Sequence, residues 1–251
     1  DLAGALNIIA EDLNNFDDYQ RAFISNISHD FRSPLTSIHG YAQAMLDGTI
    51  PYEAQEKYLN IILSETDRLT NLTSNLLELN SFNGDNVLLD ITTFNICETI
   101  VQTVNTLEGT AAKKEISFVL DYNTQKELLV EADESKIHQV LYNLIDNAVK
   151  FSHNNSEIKI SLRKKGAKVF VSVKDSGIGI PKESLNKVFD RFYKTDISRG
   201  KDKRGTGLGL SISKEIVQAH NQTINVVSTV DVGTEFVFTL KYHSKKQEAS
   251  S

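Results

Sequence analysis

At 251 residues, with 40% hydrophobic and 24% charged positions, the chain can bury one large core or two modest ones, and its composition is that of an ordinary soluble globular protein. A net charge of −6 argues against general affinity for nucleic acid or for an anionic membrane surface. A lone Cys97 excludes an intrachain disulfide or a cysteine zinc cluster and suits a reducing compartment; no apolar run approaches bilayer length and no signal peptide is visible.

The first residue is Asp rather than Met, which leads us to expect a piece of something longer. From there Leu2, Leu6, Ile9, Leu13, Phe16, Phe23 and Ile27 follow the spacings of a coiled-coil seam, with Gln20 in the missing core position. No proline precedes Pro34, so one helix is predicted through His29, bent one turn later where Pro34 removes a backbone donor. It resumes through Ile38, Tyr41 and Met45 and stops near Asp47-Gly48. A second helix starts near Pro51, with the apolar line Tyr58, Ile62, Leu69, Leu72, Leu76 and Leu79 interrupted by Glu65. Two such helices make an antiparallel hairpin that cannot bury both stripes alone, so a dimeric four-helix bundle is expected.

After the polar break at 81–86 the pattern turns mixed α/β. Strands are predicted over Val87–Phe94, Ile116–Tyr122, Leu128–Glu131, Ile158–Arg163, Val169–Lys174, Thr223–Ser228 and Glu235–Leu240. Helices are predicted over Ile96–Ala112, Glu134–Phe151 and Leu208–Ala219. Beyond His243 the tail is polar, and we expect it to be disordered.

Several patterns point to nucleotide chemistry. Asp175-Ser176-Gly177-Ile178-Gly179 ends a strand in a glycine turn, where a buried carboxylate could accept from an exocyclic amine while the glycines let a flat ring approach. Gly205-Thr206-Gly207-Leu208-Gly209-Leu210 opens a helix, whose free donors and dipole favour phosphate. Asn143, Asn147 and Lys150 share a helix face, a donor set suited to a hydrated divalent cation and phosphate oxygens. Taken singly, each pattern also fits a bland reading: a solvated helix face, a glycine turn, a surface histidine.

Their order is more telling. Asn143 to Phe151 resembles the N box of the sensor histidine kinases, Asp175 to Gly179 their G1 box, Phe189 to Tyr193 their F box, and Gly205 to Leu210 their G2 box. Ile27-Ser28-His29-Asp30-Phe31-Arg32-Ser33-Pro34-Leu35 is similar to their H box, and the first twenty residues look like the end of the signalling coiled coil that leads into such kinases. The resemblance covers roughly Phe23 to Leu240, with all five motifs in family order.

It implies a dimeric four-helix bundle built from a helical hairpin, followed by an α/β-sandwich ATP-binding domain of the gyrase, chaperone and histidine kinase type. The expected divisions are a signalling helix over 1–22, a dimerisation and phosphotransfer hairpin over 23–82, a linker over 83–87, a catalytic domain over 88–243 and a tail over 244–251. His29 would accept the γ-phosphate of ATP and Asp30 would orient it; Ser33 stands at a position linked to water orientation in phosphatase action. Asn143 would hold Mg²⁺, with Asn147 and Lys150 helping to place metal and phosphates. Asp175 would read the adenine amine between Gly177 and Gly179, and Thr234 matches a further position near the base. Phe151, Tyr193, Lys194, Thr206 and Leu208 belong to the same nucleotide boxes, and Gly205, Gly207 and Gly209 would hinge a lid within the charged segment 189–204.

Four positions depart from the family pattern: Asp30 where Glu is usual, Ser33 for Thr or Asn, Phe151 for a frequent Tyr, and Lys194 for a frequent Arg. None removes a required function. The implied partners are a second copy of the chain and the receiver domain of a response regulator, with no nucleic acid and no membrane contact from this segment, which would be the cytoplasmic part of a larger membrane sensor. Two rivals are a hydrolase of the wider ATP-binding superfamily, which would lack the histidine hairpin, and a nucleotide-binding scaffold without transfer, against which intact His29, Asn143 and Asp175 argue.

Overall fold

The computed structural model describes residues 2–81, 88–122, 127–195 and 205–244, with side chains from residue 21 onward except residue 22. Its contacts divide the chain into two units, Asp1–Leu77 and Glu78–Ser251. The expected seam side chains before residue 21, the linker, the tail beyond Ser244 and residues 196–204 of the expected lid lie outside the described residues.

In the first unit, α1 (Leu2–Leu46) is one helix that runs through Pro34. With no N–H at Pro34, the carbonyl of Asp30 loses its ladder partner one turn after His29. Gly48, at φ +78°, turns the chain, and the Ile50 N–H returns 2.9 Å to Ala44 O. Pro51 then leads into a 3-10 turn at Tyr52–Ala54 and α2 (Gln55–Ser81). The Tyr41 and Tyr58 rings meet at 5.1 Å across the hairpin, which sets the antiparallel register.

Along α2 the line Tyr58, Ile62, Leu69, Leu72 and Leu76 is half-buried or buried, with Leu72 only 1% exposed. A second stripe lies one residue over: Leu59, Leu63, Thr66, Thr70, Thr73 and Leu77 repeat the same four–three spacing. Leu59, Leu63 and Leu77 are 49%, 62% and 66% exposed. The threonine hydroxyls donate to Ile62 O, Thr66 O and Leu69 O at 2.9, 3.1 and 2.8 Å, so their polar hydrogens are spent on their own helix.

Among the described residues the second unit is a seven-stranded sheet packed against helices. Its strands are β1 (Thr92–Asn95), β2 (Ser117–Asp121), β3 (Leu129–Ala132), β4 (Glu157–Lys165), β5 (Lys168–Lys174), β6 (Ile224–Thr229) and β7 (Gly233–Tyr242). The order is β1-β3-β7-β5-β4-β2, with β6 also on β7; only β2 and β4 run parallel. The helices are α3 (Ile96–Ala112), α4 (Glu134–Phe151) and α5 (Gly209–Ala219).

Alternation sends Ile158, Ile160, Leu162, Val169, Val171, Val173, Phe236 and Phe238 inward, in register across three strands, to meet α4 residues Ile137, Val140, Leu141, Leu144 and Ile145. Each such buried side chain contributes about 1.5–3 kcal/mol. The starts of α3 and α4 are capped by side chains: Asn95 accepts from Cys97 N at 3.2 Å and Asp133 from Lys136 N at 3.1 Å. His220 ties the end of α5 to that second cap, its Nδ1–H donating to Ile216 O at 2.8 Å while Nε2 accepts from Asp133 N at 2.9 Å.

The candidate phosphoacceptor and nucleotide site

His29 stands on α1 with 82% of its side chain in solvent, and its Nδ1 lies 3.4 Å from Asp30 Oδ1. A carboxylate can only accept, so the contact places the imidazole hydrogen on Nδ1 and leaves the Nε2 lone pair outward. Ser33, one turn further along, is exposed, and its carbonyl accepts from Ser37 Oγ at 3.2 Å.

The second unit carries a buried carboxylate. Asp175 follows directly on β5 and is 5% exposed. Its Oδ1 accepts from Gly177 N at 2.9 Å and Thr234 N at 3.1 Å, and its own N–H donates to Thr234 O at 2.8 Å. No hydrogen bond to Oδ2 is present among the described residues. Burial pushes the carboxyl up to about 6, against the pull of the Thr234 and Gly177 N–H groups and the charge of His153.

Two glycines are required here. A Cβ on Gly177 would lie 2.3 Å from Phe151 O, and one on Gly179, whose φ is +66°, would lie 2.1 Å from Thr229 O. Thr234 is buried on β7; its Oγ1 lies 2.9 Å from Ser228 Oγ, which also donates to Gly233 O and accepts from Ile180 N, each at 2.8 Å. With the Ser228 hydrogen spent on Gly233, the Thr234 hydroxyl is the donor in that pair, leaving its lone pairs as acceptors.

On α4, Asn143 Nδ2 donates to Gly209 O at 3.1 Å and Ser213 Oγ at 3.3 Å. A carbonyl only accepts, so the atom meeting Gly209 O must be nitrogen, while Oδ1 lies 3.5 Å from where a Cβ on Gly209 would stand. Asn147 is half-buried, and Lys150 Nζ pairs with Asp146 Oδ2 at 2.7 Å. The half-buried ring of Phe151 follows, its carbonyl packed against Gly177 and accepting from Ile178 N at 3.3 Å.

The remaining predicted residues support the loop before α5. Tyr193 OH donates to Ser184 Oγ at 2.9 Å, Lys194 Nζ donates to Gly205 O, and Phe192 N donates to Gly207 O at 3.0 Å. Thr206 Oγ1 accepts from Leu208 N at 3.3 Å, Leu208 is buried, and Gly209 opens α5 against Asn143. The second unit therefore brings Asn143 and Gly209 together at one place, and Phe151, Asp175, Gly177 and Thr234 at another.

Sequence reasoning missed Ser228, Ser213, Ser152 and Lys114. Ser152 is buried with its Oγ unpartnered among the described residues, bridged to Gly177. Ser213 could have been found from its place one turn after Gly209; the others carry no local signal.

A fit to ATP and Mg²⁺ rests on these atoms. An amide oxygen at Asn143 suits a hard cation. That is the donor set of an ion held by few protein oxygens, with water and phosphate completing its shell.

Comparison with known proteins bears on the whole chain. Residues 19–84 match the His Kinase A (phospho-acceptor) domain and residues 132–244 the Histidine kinase-, DNA gyrase B-, and HSP90-like ATPase family. The sensor histidine kinase WalK of Bacillus subtilis (strain 168) is 35% identical over 237 residues, 92% of this chain but 38% of that protein. The catalytic domain of histidine kinase ThkA is 35% identical with a TM-score of 0.54, covering 61% of this chain and 95% of its own. ThkA in complex with response regulator protein TrrA is 32% identical with a TM-score of 0.71, covering 88% of this chain and 61% of its own.

Proposed function

Since this chain belongs to the sensor histidine kinases, sharing with them a helical hairpin followed by an α/β ATP-binding domain, we propose that it phosphorylates His29 from ATP and passes the phosphoryl group to an aspartate of a response regulator. It spans 38% of the length of the WalK relative, so we take it as the catalytic portion of a longer sensor. Among the described residues no helix is long and apolar enough to cross a membrane.

The observation that carries the reading is His29: exposed, next to a carboxylate, with Nε2 free to attack. In-line attack of that nitrogen on the γ-phosphorus forms a P–N bond and releases ADP, while Asp30 holds the ring tautomer and steadies the positive charge that develops on it. Asp175 Oδ2 accepts from the adenine amine, in a slot walled by Gly177 and Gly179 with Thr234 beside it. Asn143 would hold Mg²⁺, with Asn147 helping to place metal and phosphates, and the ion would neutralise phosphate charge. Lys150 leaves Asp146 for phosphate, and Lys194 and the 205–209 loop close around the same end.

The exposed second stripe of α2 pairs with that of a second copy, giving the four-helix bundle. Ser33, on the His29 face, positions water for removal of phosphate from the regulator.

Incubation with γ-labelled ATP and Mg²⁺ tests the reading. The label should be acid-labile and alkali-stable and vanish in His29→Gln; an acid-stable label would move the acceptor to a hydroxyl. In the same assays Ser33→Ala should keep most label uptake yet lose much regulator dephosphorylation, and equal loss of both would reduce Ser33 to a helix residue.

A further inference from the structure

The ladder of α4 closes with Ser152 N donating to Ala148 O at 3.0 Å, which leaves Val149 O, Lys150 O and Phe151 O without a partner inside the helix, and each has a destination. Phe151 O accepts from Ile178 N at 3.3 Å. The other two, Val149 O and Lys150 O, both accept from the ammonium of Lys114, at 2.8 and 2.6 Å. Lys114 is 35 residues away in sequence, in the turn between α3 and β2.

That turn is built to deliver it. Ile116 N returns to Ala111 O at 3.1 Å, and Glu115 adopts φ +56°, a left-handed residue that ends α3. Lys114 is half-buried, and its backbone carbonyl accepts from Asn155 N at 3.0 Å. One residue thus grips the chain both at the end of α4 and four residues beyond it. A cation here also offsets the negative end of the helix dipole.

We propose that Lys114 is a positioning residue for the nucleotide site. It rests on the reading that α4 and Asp175 hold ATP. By pairing Val149 O and Lys150 O it stops α4 where the carbonyl of Phe151 meets Gly177 and Ile178, and so fixes the gap between the α4 end and the Asp175 turn. Without the ammonium two carbonyls lose their partners, the last turn frays, and the adenine wall loses its fixed width. The effect reaches the base before it reaches the phosphates.

Calorimetric binding of adenosine and of a non-hydrolysable ATP analogue to the whole chain provides the test. Lys114→Met keeps the aliphatic stem and should weaken both ligands by about tenfold. Lys114→Arg, which can still donate to both carbonyls, should stay within about threefold of the parent. Far-UV circular dichroism and melting under the assay conditions establish that the variants are folded; if the Met variant melts below the assay temperature, Lys114→Leu, which also lacks a donor, carries the same comparison. A folded variant that binds both ligands like the parent makes Lys114 a stability residue only and overturns the proposal. Loss confined to the ATP analogue would make it a field effect on phosphate, and also overturns it. Asp175→Asn runs beside them: if it binds adenosine like the parent, the site reading itself has failed, whereas normal binding by Lys114→Met alone leaves that reading standing.

Discussion

At the scale of single residues, the buried carboxyl of Asp175 costs the fold stability when it is ionised. Its folded carboxyl is pushed up to about 6 from an ordinary 3.8 by burial. The folded state therefore holds its proton more tightly than the unfolded chain, and stability from this group is present below about pH 4 and lost as pH rises through about 6. At neutral pH the ionised group costs on the order of 3 kcal/mol. Asp175→Asn should melt higher than the parent at pH 8, with the gap closing at pH 4, because Oδ1 of the amide still accepts from Gly177 and Thr234. The same variant turns an NH₂ toward the adenine amine and should bind ATP weakly. ATP affinity of the parent should fall as pH drops through 6; a flat profile between pH 5 and 8 would remove Asp175 as the base reader. The buried carboxylate of this aspartate was legible in the glycine turn after a strand. Ser228 and Lys114 were not, because what each does depends on carbonyls and amides that only the folded chain brings near.

At the scale of elements, α3 and α4 were legible to the residue, since Asn95 and Asp133 are side-chain caps written just before each apolar pattern. The first strand was not. The run Val87-Leu88-Leu89 reads as strand, yet Leu88 is exposed and pairing begins only at Thr92, where β3 offers a partner. On α2 the predicted apolar line faces inward within one chain, and the stripe beside it was overlooked because threonines fill its centre. The two stripes separate two kinds of variant. Leu59→Glu with Leu63→Glu should leave a folded hairpin that sediments as a monomer, since both leucines are exposed in the single chain. Leu72→Glu should instead lower helicity and the melting point, as its side chain is already buried. Should the Leu59/Leu63 pair stay dimeric, the bundle seam lies on another face.

At the scale of the molecule, the hairpin is made of near neighbours, whereas the sheet is held by its last strand. The antiparallel hairpin of α1 and α2 follows from one short turn and was readable from two periodicities. The β6–β7 hairpin was readable from two neighbouring strand patterns, but the strand order was not, because β7 pairs with β3 and β5 across separations no local pattern encodes. Removing residues 233–251 should therefore unfold the second unit, seen as lost strand signal and lost ATP binding, while the helical signal of the hairpin survives; a truncated chain that still bound ATP would contradict the central place of β7. The same placement orders events as the chain is made. The histidine hairpin emerges early and needs only local contacts, while Asp175 gains its Thr234 N–H only when β7 arrives. If the hairpin pairs as proposed, a nascent chain can thus find its twin while it still has no means of using ATP, and pairing precedes competence for catalysis.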